Sequence, residues 1–516
     1  MSAPGSIRWF AAHEARLAWR DWSWLMTRGG RRRGGAAAFG FLAFTLFLHG
    51  LAYLFLSRST RLSGSGDARE LVVITAMMAL TFSAMLSQAM ESVTRGFYAR
   101  GDLELILTSP ATTARLFAVR IAAISATILA MSLFFAAPFI NMQAWLGGAR
   151  WLCAYPVVIA LSMFAVAVAI LVVGAMFGVI GAKRTRSISQ MVAAVIGAAF
   201  AIGLQFAAIV SFGTMAVPRF AVLERLAVDP GNAILWPARA VSGEPAALAF
   251  LVGLGVVALG VVIGVFAPRF GPFALAAGGV SHGVTKKSRG ATRFRASSPA
   301  QALRRKEWSL LVRDPWLMSQ TLMQLLYLLP AAFLLWRSFF SEGGVATFLS
   351  PILIMAAGQL GGGLAWLAVS GEDAPELIAT APVPSNNVLR AKTEAVLIGV
   401  AIVFVPLVLM LAAVSPFAAL VSLVGVTVAA GSATAIQYWF RAQAKRSLFR
   451  RRQTSSRVAT FAEALSSNGW AGAGALAATG TWLSVIPGVF VVAMLAGVWW
   501  ISPARVSASG RGEMSF

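Results

Sequence analysis

Glu14-Ala-Arg-Leu-Ala-Trp-Arg-Asp21 and Glu307-Trp-Ser-Leu-Leu-Val-Arg-Asp314 share Glu, Leu, Arg and Asp in register. Leu-Met follows each copy, at Leu25-Met26 and Leu317-Met318. A second pair recurs in the same order: Glu104-Leu-Ile-Leu-Thr-Ser-Pro110 returns as Glu376-Leu-Ile-Ala-Thr-Ala-Pro382. From Asp21 to Glu104 is 83 residues and from Asp314 to Glu376 is 62, so the first copy carries 21 extra. Two motifs repeated in one order read as a duplicated half with one expanded loop.

Composition says what kind of half was duplicated. The 516 residues are 58% hydrophobic and 12% charged, with mean hydropathy +0.76, against about 25% charged residues in a soluble domain. Apolar runs of the roughly 20 residues that a membrane helix needs lie at 36–56, 71–91, 116–143, 152–182, 190–217 and 246–267. They continue at 316–336, 346–369, 388–414, 417–440, 458–479 and 481–501. The expectation is an all-α polytopic membrane protein of about 12 spans. The eleventh run is interrupted by Glu463, Ser466, Ser467 and Asn468, which would be costly against lipid.

A net charge of +24 could signal nucleic acid, but its placement points elsewhere. Basic clusters fall at Arg28 and Arg31–Arg33, at Lys183, Arg184 and Arg186, at Lys286–Lys306, and at Arg441–Arg452. With twelve spans and a cytoplasmic start, all of them face the cytoplasm, as the positive-inside bias requires. Anionic lipid is a secondary contact for them, and nucleic acid is not an expected partner. Both termini are then cytoplasmic. About 35 polar and Arg-rich residues precede the first run, so that run reads as an uncleaved anchor. The lone Cys153 forms no intrachain disulfide.

Residues 270–303, rich in Gly, Ser, Lys and Arg, form a basic cytoplasmic linker between a first half, 1–269, and a second, 304–516. Six spans per half bring both halves into the membrane with the same orientation, which makes them parallel repeats. Ahead of each half's first span lies an amphipathic segment, about 7–26 with Glu14, Arg20 and Asp21, and about 303–314 with Glu307, Arg313 and Asp314. Aromatic and basic residues there predict a helix in the membrane interface.

The second motif falls between spans two and three and again between spans eight and nine. Asp102 can cap a short helix, as can Asp373. Glu104, Leu105 and Ile106, or Glu376, Leu377 and Ile378, follow, and Pro110 or Pro382 stops it. The next span then runs through Arg115 and Arg120, or Arg390 and Lys392. A single copy reads equally as a solvated loop capping two helices; recurrence at the same topological place favours a docking element.

Here the chain resembles the permease subunits of type-2 ABC exporters. The resemblance rests on Glu-Leu-Ile-x-Thr-x-Pro followed by a basic helix, and on Arg313-Asp314-Pro315 ahead of a first span. It departs at Trp22, where that pattern favours Pro, and at Ala374-Pro375 against Asp102-Leu103 in the first copy. The resemblance implies six spans per half, an interfacial connecting helix, and coupling helices at about 100–115 and 372–387 docking on an ATPase. It further implies a bacterial cytoplasmic membrane, a partner ATPase dimer holding ATP and Mg, and room for a further permease copy. The chain itself carries no G-x-x-x-x-G-K-[ST] phosphate loop, so no ATP hydrolysis and no bound cofactor or metal is expected of it alone.

Two other classes fit the sequence less well. Ion-coupled secondary transport usually needs carboxylates within the membrane, and only Glu463 sits well inside a run, with Glu91 and Glu394 near ends. A membrane enzyme needs converging His, Asp, Glu or Cys, whereas His13, His49 and His282 are scattered. Gly358, Gly361–Gly363, Gly425 and Gly431 permit close helix packing. The few polar residues within the runs favour an amphipathic or lipid-like substrate over an ion.

The charge distribution makes a topological prediction. Cysteine tags at Ser288 and Ser455 should react only from the cytoplasm and one at Gly343 only from the opposite side. Finding 288 and 343 on one side would overturn the six-plus-six reading.

Overall fold

In hydrocarbon every backbone N–H and C=O must be paired within the chain, which leaves helices and closed barrels as spanning structures. In the computed structural model this chain takes the first option: the described residues form helices and no strand. They are residues 6–27, 34–58, 68–98, 112–212, 232–273, 298–313, 345–370, 384–440 and 457–502, with isolated positions at 322, 325–326, 329 and 380.

The chain separates into two units, Met1–Thr285 and Lys286–Phe516. The first contains α1 (Ile7–Thr27), α2 (Gly34–Arg58), α3 (Ala68–Tyr98), α4 (Thr113–Gly147), α5 (Ala154–Phe212), the short α6 (Trp236–Val241) and α7 (Pro245–Phe266). The second contains α8 (Pro299–Arg313), α9 (Val345–Ser370), α10 (Ser385–Val414), α11 (Pro416–Phe440), α12 (Arg457–Ala478) and α13 (Val485–Trp500).

Among the described residues, eight helical stretches are long and apolar enough to cross a membrane. These are Glu70–Phe97, Thr113–Gly147, Ala149–Gly181, Pro245–Phe266, Leu349–Val369, Asn386–Val414, Pro416–Phe440 and Trp482–Trp500. Each coincides with one of the twelve apolar runs. Of the other four, 36–56 falls in α2, whose strongly apolar part is the shorter Phe41–Leu54. The run at 190–217 is the second leg of α5 as far as Phe212, and 458–479 is α12. The run at 316–336 lies almost wholly outside the described residues.

Local chemistry sets several boundaries. Ser6 Oγ accepts the Trp9 N–H at 3.2 Å and so caps α1. At α8 a reciprocal capping box forms: Gln301 N–H donates to Ser298 Oγ at 3.3 Å and Ser298 N–H to Gln301 Oε1 at 3.4 Å. Pro299 follows the cap, where its missing N–H costs nothing. Within α5 the chain turns at Gly181, whose φ of +74° suits a residue without Cβ; the basic residues Lys183, Arg184 and Arg186 come directly after this turn.

Close packing in each unit runs through small and hydroxyl residues. In the first, the second leg of α5 lies antiparallel to α3: Ser87 Oγ donates to the Ala193 carbonyl at 2.7 Å, and Thr94 Oγ1 to Ser189 Oγ at 3.0 Å. In the second, α12 lies antiparallel to α9, with Gly358 against Ser467 and Gly362 against Glu463. Gly361 packs on Ala430 of α11, and Ser422 Oγ donates to Ser350 Oγ at 2.9 Å.

This packing explains how α12 carries its polar residues. Ser466 and Ser467 are fully buried, and the Gln437 amide donates to Glu463 Oε2, while the opposite face presents Phe461, 71% exposed. Glu463, Ser466 and Ser467 are turned toward neighbouring helices, where the cost of facing lipid does not arise, whereas Asn468 is exposed on the Phe461 side and its amide donates to the Ala464 carbonyl at 2.9 Å.

A Cβ at Gly255 of α7 would lie 2.7 Å from the Ala160 carbonyl oxygen and 3.1 Å from its Cα, backbone atoms of α5 that cannot rotate away. Gly255→Ala should therefore lower stability by about 1–3 kcal/mol, as overpacking does. Gly253→Ala, where a Cβ meets nothing within 4 Å, serves as the control; equal melting temperatures in detergent for both variants would contradict the packing described.

Candidate functional site: two buried clamps at the helix ends

The repeated acidic residues of the first motif are both buried. Glu14 is 7% exposed and Glu307 1%. A carboxylate cannot be withdrawn from water without compensation, and in each unit the compensation comes from a cation eight residues into the helix beginning after the second motif. Glu14 Oε1 lies 4.0 Å from Arg120 Nε of α4. Glu307 lies 3.1 Å from Lys392 Nζ of α10 through either carboxylate oxygen. Arg120 and Lys392 are themselves 4% and 9% exposed.

Each cation has a second partner. Arg120 Nη1 donates to the Gly96 carbonyl at 3.4 Å, and Lys392 Nζ donates to the Ala368 carbonyl; the two bonds span the same 24 residues. Gly96 and Ala368 each lie two residues before the last residue of α3 or α9, where helix carbonyls lack intrahelical donors and the dipole favours positive charge. In each unit one buried side chain therefore joins three elements: the amphipathic first helix, the C-terminal end of α3 or α9, and the beginning of the span after it.

These three points enclose the second motif. Residues 99–111 and 371–383, between the clamped helix ends, contain Asp102, Glu104, Leu105, Ile106 and Pro110 in one case and Glu376, Leu377, Ile378 and Pro382 in the other. Those motif residues lie outside the described residues. Of the remaining residues of the first motif, Arg20 is exposed on α1. Asp21 and Arg313 fall in α1 and α8, but their side chains, like all of Asp314, lie outside what is described.

The surroundings of the clamps differ. In the first unit Phe97 and Phe117, next to Gly96 and Arg120 in sequence, meet Phe270 with centroids 5.5 and 5.0 Å away, and Phe177 lies 5.4 Å from Phe97. This aromatic packing surrounds the end of α3 and the beginning of α4 with apolar surface. In the second unit the clamp has polar reinforcement. Lys306 Nζ lies 3.4 Å from Glu307, and the half-buried Glu394 accepts from the exposed Arg304 at 2.6 Å and the exposed Arg390 at 3.0 Å. Hydrogen bonding to Glu394 and its charge push the Arg304 guanidinium above its already high ordinary value. Being solvent-exposed, this outer bridge adds little stability.

Sequence reasoning identified Glu14 and Glu307 but treated them as members of interfacial helices, and it passed over Arg120 and Lys392 as basic residues leading into a span. The signal was present: both cations stand ten residues after the motif proline, Pro110 or Pro382. Among the described residues no group of three or more His, Cys, Asp or Glu is placed to hold a metal ion.

No protein-family model matches the chain, and no curated protein or solved structure matches it. What its helices and composition define is a class, an all-α polytopic membrane protein.

The second clamp can be tested energetically. Glu307→Leu strands Lys392 in a buried site and should cost about 3–5 kcal/mol. Lys392→Leu should cost less, because Lys306 still faces Glu307. The double Leu variant should recover most of the loss, giving a strong non-additive term in a double-mutant cycle. Additive losses in denaturant unfolding would show that the two side chains do not interact.

Proposed function

We propose that this chain is the transmembrane permease of an ATP-driven exporter of the type-2 ABC kind, two fused six-span halves powered by a separate ATPase dimer. The observation that carries the reading is the duplicated clamp. Two Glu-Leu-Ile segments with the same proline lie in sequence between helix ends that a buried cation ties to the first described helix of the unit. An ordinary connecting loop has no need of a charged tether at its base. A segment that receives force from a soluble partner does, because the force must reach the spans without being absorbed by bending.

In this reading 99–111 and 371–383 hold the coupling helices, with Glu104 and Glu376 facing a basic or amide-bearing groove on the ATPase and Leu105, Ile106, Leu377 and Ile378 packing into it. α1 and α8 lie in the cytoplasmic interface as connecting helices. The host membrane is the bacterial cytoplasmic membrane, with both termini inside. ATP and Mg belong to the ATPase. The substrate is amphipathic or lipid-like, a choice supported by the scarcity of charged side chains in the eight apolar helices.

Glu104→Lys and Glu376→Lys, both outside the spans, should leave expression and insertion unchanged. Each should weaken ATPase retention, since an unpaired or like-charge contact at a docking site costs about 2–5 kcal/mol; the double reversal should abolish copurification of the ATPase. Wild-type retention and transport by the double variant would reduce both motifs to capping loops.

A further inference from the structure

Away from the clamps, α2 packs on α4. Much of its surface is exposed apolar side chain: Leu42, Leu46, Phe47 and Leu54 are each more than half exposed. Among the described residues, two features join it to α4. Phe134 stacks against Phe41 and Phe44, with centroids 5.1 and 5.8 Å away. Farther along, the His49 ring meets Asn141, which meets Tyr155 at the start of α5.

The hydrogen bonds of this second feature fix where its protons are. His49 Nδ1 lies 2.8 Å from the Thr45 carbonyl oxygen, and a carbonyl can only accept, so Nδ1 carries a proton. Asn141 Nδ2 lies 3.3 Å from His49 Nε2; an amide nitrogen can only donate, so Nε2 carries none. Asn141 Oδ1 in turn accepts the Tyr155 hydroxyl at 2.6 Å. All three bonds point one way, an arrangement that the Nδ1–H tautomer of the imidazole satisfies.

We propose that His49 is a proton-binding site, and that its protonation state sets the docking of α2 on α4. A proton added at Nε2 turns that nitrogen into a donor facing the Asn141 donor. To be satisfied, the amide must turn over and present Oδ1 to His49, which takes the acceptor away from Tyr155 and requires its hydroxyl to accept instead. The relay thus has two hydrogen-bonded arrangements that differ by one proton. The added charge also enters a site built from apolar helices, where it favours water over the α2–α4 contact.

No formal charge on the elements packed around His49 offsets this, among the described residues. On α4, Arg120 is 21 residues from Asn141, roughly 30 Å at about 1.5 Å per residue, and Arg115 is farther. On α1, Glu14 pairs with that same Arg120; α1 also carries His13 and the exposed Arg8, Arg16 and Arg20. From the α5 side come Tyr155 and, in the short helix Ala149–Cys153 before it, the exposed Arg150. Beyond Arg150 lies the Arg239–Glu244 pair, mutually neutralised at 2.5 Å. Tyr53, one turn along α2, is 48% exposed.

The chain has three histidines, which makes the test direct. The full-length protein, labelled with 15N-histidine and placed in phospholipid nanodiscs, is followed by NMR from pH 8 to pH 5, and the His49→Gln variant assigns the signal. At pH 8 the His49 spectrum should show a protonated Nδ1 and an unprotonated Nε2. Asn141→Leu should move the titration midpoint while the Thr45 carbonyl keeps the proton on Nδ1; Tyr155→Phe should move the midpoint less.

In parallel, spin labels replacing Leu46 and Met131, 62% and 51% exposed, in a Cys153→Ser background should report an α2–α4 distance that changes over the same pH range. In His49→Gln that distance should not change with pH. An Nε2–H tautomer at pH 8, a midpoint indifferent to Asn141→Leu, or a wild-type distance constant through the titration would each overturn the proposal.

Discussion

A charge buried beside hydrocarbon must be met by an opposite charge and by hydrogen bonds, and among the described residues there are few places where that happens. Glu14 with Arg120 and Glu307 with Lys392 are the two that matter most. Each cation faces a buried carboxylate and donates to a carbonyl at a helix C-terminus, so that one positive charge serves two buried acceptors. The consequence is geometric as much as energetic. The first helix of each half cannot move without carrying the junction between two spans, and that junction is where the repeated Glu-Leu-Ile segment is attached.

The two clamps share a plan but not a composition. Arg120 has a long contact to Glu14 and lies beside a packed group of phenylalanines, whereas Lys392 has a short contact to Glu307, a second cation in Lys306 and an outer bridge through Glu394. A planar guanidinium and a compact ammonium are not interchangeable in such sites. In the proposed function, the halves of a fused permease are free to diverge in this way because each faces its own copy of the ATPase groove.

Composition and apolar runs gave the helical membrane class directly, because a run of twenty apolar residues has few alternatives. The second leg of α5 was legible as a separate run, since Gly181 and the basic residues after it interrupt hydropathy. The inward face of α12 was not: Glu463, Ser466 and Ser467 read as obstacles until Gly358 and Gly362 opposite them showed where they fit. The clamps were half legible. The repeat picked out Glu14 and Glu307, but a cation in the second turn of an apolar helix looks like an ordinary interfacial residue, and the carbonyls it binds have no sequence signature. His49 has no sequence signature either, since its partners Asn141 and Tyr155 lie far away in sequence.

The central claim is that both clamped segments meet the same soluble ATPase. Replacing Leu105 and Leu377, one at a time, with a photoreactive benzoylphenylalanine and irradiating intact cells tests it most directly, because mass spectrometry identifies the adduct whatever the partner is. The account predicts that both positions cross-link to one nucleotide-binding polypeptide, and that a probe at Gly343 does not. Adducts confined to lipid, or to a partner lacking a nucleotide-binding motif, would contradict it.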